Sequence, residues 1–82
     1  MYEIIFSDKA CRQLKKLERP VQERIVAVLE RARIRPEDYF QKLVGETAFK
    51  LRAGDYRVIA DVDGSRLLIL VIKVGHRRNI YK

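Results

Sequence analysis

The residues able to do chemistry in this chain are six basic side chains toward its C-terminal end, Lys50, Arg52, Arg57, His76, Arg77 and Arg78, accompanied by Tyr56 and Tyr81. No carboxylate pair stands among them. The acids nearest in sequence are Asp55, Asp61 and Asp63, two of which have a turn or ion-pair role, so metal-assisted hydrolysis is poorly supported. His76 is the only histidine and Cys11 the only cysteine, which argues against a triad and rules out an intramolecular disulfide or a zinc site built from cysteine pairs. Cationic side chains projecting from a rigid sheet beside an aromatic ring suit a nucleic-acid backbone with an unstacked base. Binding alone satisfies that description.

Cutting RNA demands more: removal of the 2′-hydroxyl proton, stabilisation of negative charge on the phosphorus oxygens, and protonation of the departing 5′ oxygen. Arg57 and Arg77 suit the second task. An arginine is almost always charged and exchanges protons poorly, which leaves Tyr81, Lys50 and His76 as candidate proton carriers. Each has a plainer alternative. Tyr81, next to last, can simply pack on the sheet edge, and His76, following Gly75, can be an exposed turn residue. Lys50, Arg52 and Arg57 can be charges that keep strand edges from pairing between molecules.

Eighteen Lys and Arg against eleven Asp and Glu give a net charge of +7 over 82 residues. The excess is uneven: residues 1–49 carry ten basic and eight acidic side chains (+2), residues 50–82 eight and three (+5). Either an anionic partner or a merely solvated basic surface accounts for that, and the C-terminal third is the anion-facing candidate. A chain this short buries only about 60% of its unfolded surface, enough for one domain spanning 1–82. With 48% hydrophobic residues it lies outside the disordered class. No stretch approaches the ~20 apolar residues of a membrane span, and the N-terminus lacks a basic leader, so a soluble cytoplasmic protein is expected.

The elements that must position these residues follow from the pattern. Tyr2–Phe6 reads as a strand, and Ser7-Asp8 suits a helix N-terminus. Ala10, Leu14 and Leu17 then share one face of a helix over 8–18, and Pro20 breaks and restarts the pattern. Val21, Ile25, Val28, Leu29 and Ala32 form the apolar stripe of a second helix that ends before Pro36, which makes a helical hairpin. Residues 37–46 read as irregular. After Gly45 the period becomes two: Phe49 and Leu51 alternate with Lys50 and Arg52, Gly54-Asp55 is a turn, and Tyr56–Val62 alternates again. Asp63-Gly64 predicts a type I′ hairpin leading to a last strand from Arg66 to about Val74.

With Asp63 and Gly64 as the loop, Val62 lies opposite Ser65, Asp61 opposite Arg66, Ile59 opposite Leu68 and Arg57 opposite Leu70. Val58, Ala60, Val62, Leu67, Ile69 and Val71 then face the helices. Arg57, Ile59, Leu68, Leu70 and Ile72 face away. The last strand is apolar on both sides, so either a loop of this chain or a partner segment must cover the second face.

The order strand, helix hairpin, three strands, together with Lys50-Leu51-Arg52, Gly54-Asp55-Tyr56-Arg57-Val58 and Val74-Gly75-His76-Arg77-Arg78-Asn79-Ile80-Tyr81, resembles the RelE/ParE superfamily of toxin–antitoxin toxins over nearly the whole chain. The resemblance implies an α+β domain: an N-terminal strand, a two-helix hairpin and a three-stranded antiparallel meander in one sheet with the helices on one face. It further implies a RelE-type toxin that acts at the ribosomal A site on the 30S subunit, inducing 2′-hydroxyl attack within messenger RNA without metal or cofactor. By position Lys50, Arg57, Arg77 and Tyr81 match catalytic residues, with Arg57 and Arg77 on the phosphate and Tyr81 as base or stacking group. Arg52, His76 and Arg78 fall on RNA-binding positions. Ala48 stands where some members carry another lysine, and the tail from Arg77 to Tyr81 is two residues shorter than theirs, which implies weaker or altered cleavage. The implied partner is a RelB-like antitoxin, wrapping a segment around the toxin and occluding the basic site. Two rivals share the fold: a ParE-like inhibitor of DNA gyrase, which needs no catalytic residues, and an inactive RNA-binding homologue.

Overall fold

The computed structural model describes residues 1–45 and 47–80. Strand β1 (Glu3–Phe6) leads into helices α1 (Asp8–Lys15) and α2 (Arg19–Ala32), and a 3₁₀ turn (Pro36–Asp38) follows. Strands β2 (Phe40–Lys42), β3 (Phe49–Ala53), β4 (Tyr56–Asp63) and β5 (Leu68–His76) complete one five-stranded sheet in the order β1-β5-β4-β3-β2. The first strand joins parallel to β5; every other pairing is antiparallel. The expected α+β class therefore forms, with one strand more than the meander. No helix among the described residues is long and apolar enough to cross a membrane.

The helix hairpin begins where the residue types require. The Ser7 side chain accepts from Ala10 N at 3.1 Å, capping α1, and donates to the Ile72 carbonyl at 3.0 Å, so one hydroxyl ties the helix to the sheet. Pro20 sits in the first turn of α2, where its missing N–H costs nothing. Because β5 runs on past the end of β1, the Val74 N–H has no strand partner on that side, and the Gln13 side chain of α1 accepts from it at 2.8 Å. Helix α1 is shorter than its apolar pattern, ending at Lys15, yet Leu17 still packs against the core.

Ala10, Ile25, Leu29 and Ala32 cover one face of the sheet, against Leu51, Ala53, Val58, Ala60, Ile69, Val71 and Val74. Burial of each large side chain contributes about 1.5–3 kcal/mol. The other face is partly covered by this chain's own tail and β2–β3 hairpin. Ile80 is buried, and an open groove of about 470 Å³ remains between Leu43, Val44, Ala48, Ile59, Ile72, Lys73 and Ile80.

Three sequence expectations are corrected. Residues 37–46 are not wholly irregular: buried Phe40 anchors the three-residue β2, too short to show a period of its own. The β4–β5 loop is not a two-residue type I′ turn. Asp63 pairs with Leu68, Val62 with Ile69 and Asp61 with Leu70, leaving four residues in the loop with Leu67 at φ +52° and half-exposed. The Asp63 carboxylate selects this longer loop by accepting from Ser65 N (3.0 Å), Ser65 Oγ (2.7 Å) and Arg66 N (3.2 Å). Arg66 lies beside Asp63 at 3.8 Å instead of opposite Asp61. The register thus moves by an even number of residues, so Val62, Ala60, Ile69 and Val71 keep the face expected of them and only Leu67 leaves the core. A bulge between Ile59 and Ala60 then makes Ile72 the extra residue and brings Lys73 opposite Ile59.

The Gly54-Asp55 turn does form. Gly54 alone has positive φ (+62°), the pattern of a type II′ hairpin with glycine first. A Cβ on Gly54 would lie 2.6 Å from Nη1 of Arg24 on α2. Gly54→Ala should therefore cost about 1–2 kcal/mol for the left-handed backbone alone, lowering Tm by roughly 5–15 °C in a circular-dichroism melt. The hydrogen bond from the Ser65 side chain, followed by that from the Arg66 N–H, holds the Asp63 carboxyl below its ordinary value of 3.8. The resulting stabilisation is present above that value and is lost as pH falls through the lower folded-state one. Asp63→Ala should accordingly melt below wild type at neutral pH, with the gap narrowing in acid; a gap constant across a pH series of melts would contradict it.

Candidate functional site

Alternation along β2, β3 and β4 builds the site. Phe40 pairs with Leu51, and Leu51 with Val58, all buried beneath the helices. Their neighbours must point the other way. On that face two cross-strand rows form: Gln41, Lys50, Ile59 and Lys73 in one, Arg52, Arg57 and Gly75 in the next. Lys50, Arg52 and Arg57 come together there with Tyr39 and Gln41 around a cleft of about 200 Å³ whose lining, among the described residues, carries no carboxylate. Lys50 lies between β2 and β4 and Arg57 between β3 and β5, so protection of an exposed edge does not account for these two; Arg52 is one residue past the pairing with β2.

Arg52 and Arg57 are direct cross-strand partners. Like charges in that position destabilise a sheet by up to about 1 kcal/mol, which a neutral pair would avoid. Arg57 is also held in place. Its Nη1 donates to the carbonyls of Gly54 (2.8 Å) and Tyr56 (2.9 Å), leaving the Nε and Nη2 donors for an anion. Lys50 is half-buried between Gln41 and Ile59, where its amine is the cation of the first row nearest the cleft.

Arg77 reaches the same turn from the other side. Its backbone N–H donates to the Asp55 carbonyl at 2.8 Å and its Nε lies 4.0 Å from the Asp55 carboxylate, with the side chain half-exposed. Both Arg57 and Arg77 are thus attached to the Gly54-Asp55 turn. Gly75 leaves space beside Arg57 that Ile80 fills: its Cδ1 is 3.3 Å from where a Cβ would stand. The tail is held down by Lys73, whose Nζ donates to the Ile80 carbonyl at 3.1 Å.

His76 and Tyr56 lie elsewhere. They are cross-strand partners on the helix side of the sheet, ring centroids 5.3 Å apart and edge to face, and Tyr56 packs on the core. The His76 Nδ1 accepts from the Arg78 N–H at 3.2 Å, and Arg78 is exposed beyond it. Neither His76 nor Arg78 joins the cleft. Tyr81 lies outside the described residues.

Sequence reasoning passed over Tyr39, Gln41 and Lys73. The first two belong to the segment read as irregular. Lys73 sits in a strand whose apolar run hides the bulge that turns it outward. The available signal was the isolated lysine itself, in the run Leu68–Val74.

The profile of one protein family, the ParE toxin of type II toxin–antitoxin systems (parDE), matches residues 4–81. No curated protein matches the chain. Solved structures do. A chain of the intact Escherichia coli RelBE toxin–antitoxin complex superposes with a TM-score of 0.78 at 28% identity, over 93% of this chain and 96% of that one. A chain of the Mycobacterium tuberculosis RelBE2 toxin–antitoxin complex gives 0.80 at 27% identity, over 93% and 98%. The archaeal RelE–RelB complex from Pyrococcus horikoshii, at 24% identity and a TM-score of 0.79 over 95% and 97%, shares the fold. With the sheet, the helix hairpin and the profile match over residues 4–81 in agreement, this chain belongs to the ParE-toxin family, a type II toxin of the RelE/ParE superfamily with a RelE-like fold.

Proposed function

We propose that this toxin is a ribosome-dependent endoribonuclease that cuts messenger RNA in the A site. The observation that carries the reading is the cleft on the helix-free face, where Lys50, Arg52 and Arg57 converge with no carboxylate among the described lining residues, next to the Gly54-Asp55 turn to which Arg77 is attached. In the reaction the 2′ oxygen attacks phosphorus, a 2′,3′-cyclic phosphate forms and the 5′ oxygen departs with a proton. Arg57, pinned through one nitrogen, and Arg77 stabilise the charge that develops on the phosphorus oxygens. Lys50 and Tyr81 exchange the protons, Tyr81 by its match to the family's terminal tyrosine. Arg52 holds the substrate backbone and the exposed Arg78 contacts RNA beyond the cleft, while His76, on the helix side against Tyr56, accepts from the Arg78 N–H and serves to position that arginine. No cofactor or metal is invoked, because charge stabilisation and proton transfer are both within the reach of these side chains.

The partner we propose is a RelB-like antitoxin, since the E. coli and M. tuberculosis relatives were solved as toxin–antitoxin complexes. It would cover the apolar groove between Ile59, Ile72 and Ile80, which the described residues leave open. The site of action is the cytoplasm, where the ribosome and its messenger RNA are found.

A second reading, inhibition of DNA gyrase through protein contact, is favoured by the description of the matching family as ParE and by Ala48, an uncharged residue in the groove beside the cations. Primer extension on a messenger RNA incubated with the protein, in a translating extract and as naked RNA, separates the two. New 5′ ends only during translation are expected. Arg77→Ala should lower that cleavage about 10²–10³-fold while leaving Tm unchanged, because its side chain is exposed and its one ion pair is long. Growth arrest that persists in this variant with no cut RNA would instead support gyrase. Arg52→Thr should do the opposite to fold and site: relief of the Arg52–Arg57 repulsion raises Tm by a few degrees, up to about 1 kcal/mol. The same variant should bind RNA more weakly, with a salt slope smaller by about one. Unchanged affinity at low salt would remove Arg52 from the interface.

A further inference from the structure

Tyr39 is held in the cleft by its neighbours. On either side of buried Phe40, Tyr39 at the end of the 3₁₀ turn and Gln41 in β2 both line the cleft that carries the cations. Buried Pro36 and the 3.0 Å hydrogen bond from Tyr39 N–H to the Pro36 carbonyl fix where β2 begins. The two acids of the preceding turn, Glu37 and Asp38, are each 3.4 Å from Arg35, so their charge is directed to that arginine. Tyr39 is 39% exposed as a residue and, among the described residues, its ring makes no aromatic or cation–π contact. An open aromatic face thus lies beside Lys50, Arg52 and Arg57.

We propose that Tyr39 is a nucleobase-stacking residue: the cleft takes one nucleotide of single-stranded RNA, its phosphate on the cations and its base on the Tyr39 ring. The inference rests on the RNA reading above and adds the path of the strand, which leaves the Gly54-Asp55 turn across β3 toward the β2 edge. Every base has a π-face, so stacking supplies affinity that is tolerant of sequence while the phosphate contacts supply the charge-dependent part. The cleft, about 200 Å³ and framed by five side chains, suits one nucleotide unit instead of a duplex or a protein loop. Gln41, at the rim, presents both a donor and an acceptor to the edge of that base.

The test is fluorescence anisotropy with two labelled hexanucleotides at low salt: one of 2′-fluoro riboses, which cannot undergo 2′-hydroxyl attack, and one with the same backbone and no bases. For the base-bearing strand Tyr39→Ala should weaken binding about 10-fold and Tyr39→Phe less than about twofold, whereas the abasic strand should bind wild type and both variants alike. Tyr39→Thr, which suits a strand backbone, repeats the measurement if alanine loosens β2 in a thermal melt. Equal losses on both strands, no loss on either, or no binding of either by wild type would overturn the proposal. Ring-dependent binding without ribosome-dependent cleavage would sink the nuclease reading and leave the stacking site standing. Cleavage without ring dependence would do the reverse.

Discussion

The position of β5 is the constraint on which the rest of the molecule depends. It pairs with β1 on one side and β4 on the other, and it runs past β1 far enough to leave backbone groups that only α1 and its cap can satisfy. Buried polar backbone must be paired, so Ser7 and Gln13 do more than decorate a helix: they fix the hairpin against the end of the sheet. From β5 the register passes outward. The bulge at Ile72 sets which side chains of β4 face which of β5, and the β4–β3–β2 pairings carry that alignment to Tyr39 and Gln41.

The same sheet has two sides with opposite demands. Under the helices it excludes water, and the buried positions of the core there are apolar. On the other side it accepts a cost: two arginines face each other across β3 and β4, and Lys50 is half-buried beside an isoleucine. Proteins concentrate such locally unfavourable choices where a ligand relieves them. An anion bridging Arg52 and Arg57 would convert repulsion into a shared contact, and Arg57 is already oriented for one by its bonds to Gly54 and Tyr56. The glycine at position 75, beside Arg57 in the same row, leaves space that Ile80 occupies.

What covers the remaining apolar surface links fold to regulation. Ile80, Leu43 and Ala48 cover the helix-free face in part, and the groove between them is continuous with the row that carries Lys73 and Lys50. That groove and the cationic cleft are thus neighbours on one face of the sheet, the face opposite the helices.

Read alone, the residues determined the helices, the strands from Phe49 onward, the sidedness of β3 and β4 and the meeting of Lys50, Arg52 and Arg57. All of these follow from local periodicity, and period-2 alternation survives any register error that is even. Tertiary structure decided the rest. The β4–β5 loop length was settled by three hydrogen bonds to one carboxylate, which outweigh the turn preference of Asp63-Gly64. β2 exists because Phe40 finds a buried place beside Leu51, which no three-residue pattern announces. His76, adjacent in motif to the arginines, went to the helix side because the bulge at Ile72 shifts parity within β5, and there it meets Tyr56, which plain alternation along β4 already places on that side. Tyr39 joined the cations for a reason invisible in one dimension: a residue's face depends on which of its neighbours the core accepts.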